Sequence, residues 1–420
     1  MADGSNRPVP RRLVIAGMAG NILEWYDFSI YGFFAPAIGE AFFPSHNPAT
    51  SLIDAYGVFA AGFLMRPLGA VIFGRIGDRR GRELALTLSV LAMAIPTFLM
   101  GALPDYRQIG VVAPILVVVL RLIQGLSVGG EFTTSVVFMI EHAGSRRGVM
   151  GALGTSGAFA GVLLGSAVGA LTAWLMPLDA LMAWGWRLPF LGGIAIGVAG
   201  YFIRRELRNL EPAVHPAPTP LGDLIRAEWR RIGQISGLKI LSAVGFYLMF
   251  VYTTTYLAEV VGLEKGRAMA INTIGMAVAL IVLPIAGWAS DRVGRKPLML
   301  VAAAGLILFA MPLFRLLWHP ALHVPLIGQV GFAIAIALFD GVAPTAAVEA
   351  FPADVRCSAV AISHNLTMAL IGGTTPMVAT WLIERSKNQM APAHYLIGAA
   401  IVSAIFALTL KETARAPLKT

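Results

Sequence analysis

Twelve apolar windows of about 20 residues recur along the chain, and each is long enough to cross the hydrocarbon of a bilayer as a helix. Charged residues make up only 13% of the sequence, whereas a soluble domain has roughly a quarter. The windows are continuously apolar rather than alternating, which indicates helices instead of a β-barrel. The sequence therefore predicts an all-α integral membrane protein with twelve transmembrane helices near residues 14–38, 52–75, 84–103, 110–140, 149–174, 187–203, 236–258, 268–290, 297–317, 324–347, 357–383 and 394–411.

A polar segment divides the windows into two groups of six. Residues 204–235 contain four prolines and six arginines, a composition that does not enter lipid. We therefore expect a cytoplasmic linker there. It would join an N-terminal six-helix half, residues 1–203, to a C-terminal six-helix half, residues 236–420.

One loop sequence occurs once in each group of six. The stretch GRIGDRRGR at 74–82 returns as GWASDRVGRK at 287–296, an offset of 213 residues, close to half of 420. A weaker repeat follows the fourth and tenth windows, at 141–148 and 349–356. Two copies in register indicate two pseudo-symmetric halves, the duplicated architecture of many secondary transporters.

Basic residues are distributed unequally between the two sides of the membrane. If the loops alternate sides and both termini are cytoplasmic, 22 of the 32 Lys and Arg residues lie inside and seven lie outside. Positive residues accumulate on the cytoplasmic side, so this bias predicts cytoplasmic termini and an inner (plasma) membrane location. The bias also explains the net charge of +9, and we expect no nucleic acid partner.

The sequence has none of the short motifs that indicate an enzyme or a bound cofactor. Its single cysteine, Cys357, cannot form an intramolecular disulfide, and neither CxxC nor HExxH spacing occurs. The ATP-binding pattern GxxxxGK followed by Ser or Thr is absent as well. We therefore expect no metal, no cofactor and no enzymatic activity.

The repeated loop resembles the signature loop of the major facilitator superfamily, which has a glycine, an aspartate four positions later, then a basic residue and Gly-Arg. Within that superfamily the chain is similar to the metabolite:proton symporter family, and most similar to its proline and glycine-betaine transporters. The supporting stretches are 20–28, 66–69, 121–131, 184–190, 390–396 and 411–419. The resemblance implies a monomeric transporter that works by alternating access, with its site between the halves.

Ionisable residues of the first and fourth windows reach the predicted midplane of the bilayer, where a charge is costly and is usually functional or paired. Glu24, Asp27 and Tyr31 share one helical face, and Arg121 and Gln124 share another. If both helices line the cavity, as the resemblance implies, these faces meet. We expect Arg121, Gln124 and Tyr31 to bind substrate; the alternative is a structural ion pair between Arg121 and one acid.

Four carboxylates are candidates for proton coupling: Glu24, Asp27, Glu131 and Asp340. Desolvation favours the protonated form of a carboxyl and a neighbouring arginine favours the charged form, so the opening of a cavity changes proton binding. For Asp340 the alternative is a hydrogen bond to a neighbouring helix. Glu131 lies near the cytoplasmic end of its helix, where a solvated carboxylate is ordinary.

The seventh window carries Tyr247, Tyr252 and Tyr256, whose rings are suited to surround an ammonium group by cation–π attraction. The alternative is that these rings pack against neighbouring helices, as aromatic residues of membrane helices commonly do. Arg66 and Lys239 lie closer to the cytoplasmic side, so we expect their long side chains to reach water.

The repeated loops are the predicted gate. An aspartate at a cytoplasmic helix end can bind an arginine and a helix N-terminus at once. By resemblance, the Asp78 loop latches the two halves together when the cavity faces outward. The gating residues expected on this basis are Asp78, Arg79, Arg82, Asp291, Arg292 and Arg295.

The predicted function is proton-coupled symport of a small carboxylate-bearing metabolite, with a proline- or betaine-type compatible solute favoured. Citrate, 2-oxoglutarate or another organic acid is the alternative substrate, since Arg121 would serve any carboxylate. A passive facilitator or a nutrient sensor is the alternative of another class. The expected partners are the substrate, protons and the lipid bilayer, with the proton gradient as driving force.

Overall fold

The computed structural model describes residues 11–69, 72–73, 76, 82–127, 131–195, 198, 221–319, 321 and 323–418. Throughout these ranges the regular secondary structure is helical, which confirms the predicted all-α architecture. The twelve main helices are α1 (Arg11–Phe33), α2 (Pro48–Gly69), α3 (Arg82–Ala102), α4 (Val112–Ser127, continued by Glu131–Glu141), α5 (Arg147–Leu175), α6 (187–195), α7 (Gly222–Val260), α8 (Lys265–Val293), α9 (Arg295–Leu317), α10 (His323–Ala350), α11 (Arg356–Ser386) and α12 (Ala391–Thr409).

Among the described residues, nine helices are long and apolar enough to cross a bilayer by themselves. The first helix, α1, is not one of them, although every residue from Glu24 to Tyr31 is buried. A helix that is buried on all sides directs its polar residues into protein rather than into lipid. The part of α1 from Glu24 to Tyr31 is therefore interior, and its polar side chains have to find partners on neighbouring helices.

A tight corner joins α8 to α9 and brings the second repeated loop into position. α8 ends at Val293 because Gly294 adopts a φ of 116°, a conformation that residues with a Cβ rarely adopt. The Gly294 N–H donates to the Ser290 carbonyl (3.1 Å), and α9 begins directly at Arg295. Asp291 and Arg295 are thereby held at the same end of the molecule.

α5 packs closely against α1 on one side and α8 on the other. A Cβ added at Gly161 would collide with the Ile22 carbonyl of α1, and one added at Gly148 would collide with the Gly287 carbonyl of α8. Small residues at such crossings let the backbones approach, which is how helices associate in lipid. α5 thus connects the earlier helices, α1 to α6, with the later helices, α7 to α12.

The predicted linker differs from the structure in its second part. Residues 204–220 lie outside the described residues, but Leu221–Leu238 is an α-helix that continues into the seventh span. It buries Leu224 and Ile235, and its three arginines are exposed. A hydropathy window misses such an amphipathic helix because its two faces average out.

Candidate functional site

Arg121 lies at the centre of a buried polar cluster among the earlier helices. Its guanidinium is 3.7 Å from the ring centre of Tyr31, a cation–π contact. Its Nη1 donates to Gln124 Oε1 (3.0 Å), and Gln124 Nε2 donates to the Thr97 hydroxyl (2.7 Å). The structure therefore brings together Arg121, Gln124 and Tyr31, and it adds Thr97 of α3, which the sequence did not single out.

The guanidinium of Arg121 keeps unused hydrogen-bonding capacity. Its Nε and Nη2 are buried without a hydrogen-bond partner among the described residues. The rings of Phe28 and Phe59 lie 5.2 and 5.4 Å from it and complete an aromatic enclosure. Nε and Nη2 form one edge of the guanidinium fork, and that edge matches the two oxygens of a carboxylate. The cluster is therefore suited to receive an anion.

The partner of Glu24 is Arg66 and not Arg121. Glu24 Oε1 lies 2.8 Å from Arg66 Nη2, and both side chains are only 2% exposed. The Arg66 guanidinium also lies over the ring of Phe63, 4.7 Å from its centre. The prediction that Arg66 reaches water is wrong, because an ion pair and ring faces stabilise its charge inside the protein.

Asp27 is buried beside the Arg121 cluster. Its Oδ1 has no hydrogen-bond partner in the part of the chain that the structure describes. A Cβ added at Gly193 of α6 would lie 3.4 Å from Asp27 Oδ1 and 2.6 Å from the Thr97 methyl carbon, so the carboxyl and Thr97 face the same glycine. Burial together with a free oxygen is the environment expected of a proton-binding carboxyl.

Tyr247 of α7 packs against aromatic rings of the earlier helices. The centre of its ring lies 5.3 Å from that of Phe63, 6.0 Å from Phe59 and 6.2 Å from Trp25. Its hydroxyl is buried and has no hydrogen-bond partner among the described residues. Because Phe63 also lies under Arg66, Tyr247 and that ion pair belong to one aromatic layer between α1, α2 and α7.

The aromatic face of α2 is visible in the sequence as a periodic pattern. Tyr56, Phe59, Phe63 and Arg66 recur every three or four residues, which places them on one side of a helix. All four side chains are buried. The second window therefore has a periodic aromatic pattern as well as the seventh, and this pattern predicts the face.

The other two predicted cage residues have different neighbours. The Tyr256 hydroxyl accepts a hydrogen bond from Trp318 Nε1 (2.7 Å) and donates to the Gln389 carbonyl (3.0 Å). Tyr252 contacts Tyr56 edge-on, with ring centres 6.0 Å apart. The structure does not bring the three tyrosines into one cage, because hydrogen bonds among the later helices hold Tyr256 away from the Arg121 cluster.

A second buried cluster lies among the later helices. Lys239 Nζ is 3.2 Å from His364 Nδ1, and the His364 ring stacks on Phe132 of α4, with 4.9 Å between ring centres. Asp340 is buried too, near Ser242 and Lys239 of α7. The prediction that Lys239 reaches water is wrong, because His364 provides a partner inside the protein.

The aspartate of the second repeated loop binds the start of α5. Asp291 accepts hydrogen bonds from the backbone N–H groups of Gly148 (2.8 Å) and Val149 (3.2 Å). It also lies 2.8 Å from Arg295 Nη2. This is the expected combination of an arginine and a helix N-terminus on one carboxylate, and it connects α8 with α5.

Glu349 at the end of α10 joins this contact, a role that the sequence did not reveal. Glu349 Oε1 lies 3.2 Å from Arg295 Nη2 and 3.1 Å from Arg147 Nη1. Nearby, Glu141 Oε1 lies 2.6 Å from Arg356 Nη1. The acid of each weaker repeat therefore pairs with the arginine of the other copy. We call these ion pairs, together with the Asp291 contacts, the gate network.

Arg292, the remaining predicted gating residue whose side chain the structure describes, does not enter the gate network. Arg292 is exposed and stacks on the ring of Trp288 at 3.8 Å, on a side of α8 that does not face α5. Arg82 begins α3, and Glu131 begins the second part of α4. The predicted residues whose side chains lie outside the described part of the chain are Asp78, Arg79, Arg82 and Glu131.

An uncharged polar cluster between α5, α8 and α10 was not predicted. Asn272 Nδ2 donates to the Ser166 hydroxyl (3.2 Å), which also shares a hydrogen bond with Thr273 (2.8 Å). Gln329 Nε2 donates to Asn272 Oδ1 (3.2 Å). Only the packing of the three helices reveals that these side chains meet.

Comparison with known proteins identifies a matching family and similar transporters. The model of the Major Facilitator Superfamily matches residues 17–376, with a further match over 235–419. The glycine betaine/proline/ectoine/pipecolic acid transporter OusA of Dickeya dadantii (strain 3937) is 35% identical over 425 residues, covering 97% of this chain and 85% of that protein. The proline/betaine transporter of Escherichia coli (strain K12) is 35% identical over 426 residues, with the same coverage of both chains.

Two solved structures share the fold. A D-xylose-proton symporter has a TM-score of 0.72 at 18% identity and covers 94% of this chain and 96% of its own. The xylose transporter of E. coli in a partially occluded inward open conformation has a TM-score of 0.74 at 16% identity, covering 97% and 99%. With curated relatives that are transporters rather than enzymes and a family match along most of its length, the chain is a multi-pass membrane transporter that belongs to the major facilitator superfamily.

Proposed function

We propose that the protein takes up a small zwitterion of the proline or betaine type by proton-coupled symport. The observation that carries this proposal is the buried Arg121, whose Nε and Nη2 have no hydrogen-bond partner among the described residues. Its guanidinium lies against aromatic rings. Relatives at 35% identity are named as proline and betaine transporters, which supports this substrate class.

The Arg121 cluster binds the carboxylate of the substrate in this proposal. The free edge of the guanidinium donates two parallel hydrogen bonds, and the aromatic enclosure keeps water away and strengthens them. The ring faces of Trp25, Phe59 and Tyr247 offer the ammonium end a surface for cation–π attraction. Among the described residues, the other buried arginine of this aromatic layer is Arg66, which is already paired with Glu24. The site therefore suits a substrate with one carboxylate better than citrate, which has three.

Asp27 carries the proton in this proposal. It shares the Thr97 neighbourhood with Gln124, so a change in its charge is felt by the Arg121 cluster. Glu24 is the weaker candidate because Arg66 already compensates its negative charge. When the cavity opens to water, the cost of a charged Asp27 falls and the proton is released.

Alternating access is proposed to proceed by the breaking of contacts at the two ends in turn. The gate network joins α5 to α8 and α10 at one end. Towards the other end, the hydroxyls of Tyr56 in α2 and Thr255 in α7 lie 2.9 Å apart. We place the gate network and both termini on the cytoplasmic side, with residues 1–203 and 236–420 as the two moving halves.

Uptake into proteoliposomes tests the proposal. A panel of radiolabelled proline, glycine betaine, citrate and 2-oxoglutarate is offered with an acidic exterior, without a gradient, and with a sodium gradient alone. We expect accumulation of proline or betaine only with the pH gradient, and its loss when a protonophore is added.

The other functions give different results in the same experiment. Gradient-driven accumulation of citrate or 2-oxoglutarate alone would establish the organic-acid alternative. Equilibration of a solute without accumulation identifies a passive facilitator, and saturable binding without any uptake identifies a nutrient sensor. Accumulation driven by sodium alone would overturn proton coupling while leaving symport in place.

A further inference from the structure

The chain beyond α12 folds back onto the start of α9. The Glu412 carboxylate accepts hydrogen bonds from the backbone N–H groups of Arg295 and Lys296 (both 2.9 Å), the free donors at the beginning of α9. Two further N–H groups, those of Thr413 and Ala414, donate to Glu412 Oε1 (both 2.9 Å). The segment after Thr409 is thus anchored by one carboxylate.

Glu412 is charged under ordinary conditions. Partial burial raises a carboxyl pKa, but the four backbone N–H groups outweigh it and hold the pKa of Glu412 below its ordinary value. A carboxyl of this kind stabilises the fold at pH values above its unfolded pKa, and the stabilisation is lost only as the pH falls through the lower folded value. The anchor therefore persists at neutral pH on either side of a membrane.

The next residue enters the gate network. The Thr413 hydroxyl donates to Glu349 Oε2 (2.6 Å), the oxygen that also accepts from Arg295 Nε (3.3 Å). Glu349 Oε1 is thereby left to Arg295 Nη2 and Arg147 Nη1. Thr413 fixes the orientation of the carboxylate that links the two sides of the gate.

The same segment also reaches α5. Arg147 Nη2 donates to the backbone carbonyls of Ala414 (3.2 Å) and Ala416 (2.7 Å). Arg147 is the first residue of α5, so these bonds exist only while α5 stays beside α9 and α10. One short segment is therefore bound to the later helices by Glu412 and Thr413 and to the earlier helices by Arg147.

We propose that residues 411–418 act as a clasp of the gate, in which Glu412 and Thr413 are positioning residues that hold Glu349 and the Ala414 and Ala416 carbonyls against Arg147. The proposal rests on the alternating access proposed above. The clasp stabilises the state in which this end of the molecule is closed. Its loosening shifts the population towards the state that is open at this end.

Distance measurement between two spin labels tests the clasp in the full chain. In a Cys357→Ser background, labels at Ser145→Cys and Asp354→Cys sit on exposed loops before α5 and before α11. Their separation increases when the gate network opens. Thr413→Val removes the hydroxyl but keeps the shape, and Glu412→Gln removes the charge. Each is expected to raise the open fraction about tenfold, the effect of losing a hydrogen bond to a charged group.

Two controls separate the clasp from general destabilisation. Thr413→Ser keeps the hydroxyl and should give the same distance distribution as the protein with an unchanged clasp. Arg415→Gln changes an exposed residue of the same segment and should have no effect. Unchanged open fractions in both Thr413→Val and Glu412→Gln, in protein that still switches with substrate, would overturn the clasp alone. If the labelled protein with an unchanged clasp shows no change in distance under any substrate or pH condition, alternating access itself would be overturned.

Discussion

At the scale of single residues, the site depends on how buried charges are compensated. The carboxylate of Glu24 compensates the charge of Arg66. The guanidinium of Arg121 instead contacts aromatic ring faces and the amide oxygen of Gln124. A cation–π contact is worth about 0.5–2 kcal/mol, less than the cost of removing a guanidinium from water. Of these two arginines, Arg121 is therefore the one whose charge gains most from an incoming carboxylate.

Arg121→Lys should lower substrate affinity at least about tenfold, about 1.4 kcal/mol or more, because an ammonium cannot donate two parallel hydrogen bonds to a carboxylate. Arg121→Ala should abolish binding. Equilibrium binding of radiolabelled substrate to purified protein measures both. Arg315→Lys, at an exposed position near the end of α9, is the matched control and should bind normally. Wild-type affinity in Arg121→Lys would contradict recognition through the guanidinium fork.

Asp27→Asn mimics a permanently protonated carboxyl. We expect this variant to bind substrate and to exchange it by counterflow, because neither step requires a net proton movement. Accumulation driven by a pH gradient should be lost, and both activities can be measured in the same liposomes. If Asp27→Asn retains full accumulation, the coupling site lies elsewhere, and Asp340 is the next carboxyl to substitute.

Glu24→Gln should act on stability instead. It leaves Arg66 buried with an uncompensated charge, which costs about 3–5 kcal/mol when one partner of a buried pair is removed. The thermal unfolding midpoint should fall, and the double variant Glu24→Gln/Arg66→Met should recover much of the loss. The exposed pair of Glu384 and Lys387 is the matched control, since Glu384→Gln breaks a solvated ion pair and should leave the midpoint nearly unchanged. A Glu24→Gln variant as stable as this control would refute a structural role.

The sequence placed the charges of the first and fourth windows inside the membrane, but it missed the burial of Arg66 and Lys239. It did not reveal the partners of these charges. Counting residues along a helix gives the depth of a side chain, and it placed Arg121 near the midplane. The direction in which the side chain points relative to other helices depends on how α1, α2 and α4 pack, which no count along one helix contains. For this reason the ion pair of Glu24 with Arg66 and the contact of Lys239 with His364 had to be found in the structure.

At the scale of helices, the contacts of the gate network depend on how closely α5 approaches α8. A Cβ added at Gly148 would collide with the Gly287 carbonyl and crowd Arg295 and Ser290. Gly148→Ala should therefore separate the two helices and raise the fraction of molecules open at this end, measured with the label pair at 145 and 354. Gly305→Ala in α9 is the control, because nothing lies within 4 Å of its added Cβ. An unchanged distance distribution in Gly148→Ala would show that the crossing tolerates a larger residue.

The repeats indicated that the second loop contacts a helix N-terminus, but not how the gate network is connected. Both copies of the loop were visible in the sequence, and Asp291 lies against a helix N-terminus as its position indicated. The exchange of partners, Arg147 with Glu349 and Glu141 with Arg356, follows only when the two copies face each other. Each copy therefore contributes an acid and a base, and neither copy can form its pairs alone.

At the scale of the whole molecule, lipid makes the fold predictable. Because a bilayer requires every spanning backbone group to be satisfied within a helix, long apolar windows translate directly into elements. The order of the twelve helices was therefore correct from the sequence. The helix Leu221–Leu238 was not predicted, since outside the hydrocarbon a segment is held by its packing on other helices and no longer by its hydropathy.

The orientation of the molecule in the membrane is the remaining prediction at this scale, and it follows from the distribution of Lys and Arg. In a Cys357→Ser background, His46→Cys lies on the exposed loop before α2, and Ser145→Cys lies at the opposite end, beside the gate network. In intact cells, a membrane-impermeant thiol reagent should label residue 46 and not residue 145, and permeabilisation should make residue 145 reactive. Because twelve helices put both termini on the side of residue 145, the reverse labelling would place the gate network, its clasp and both termini outside the cell.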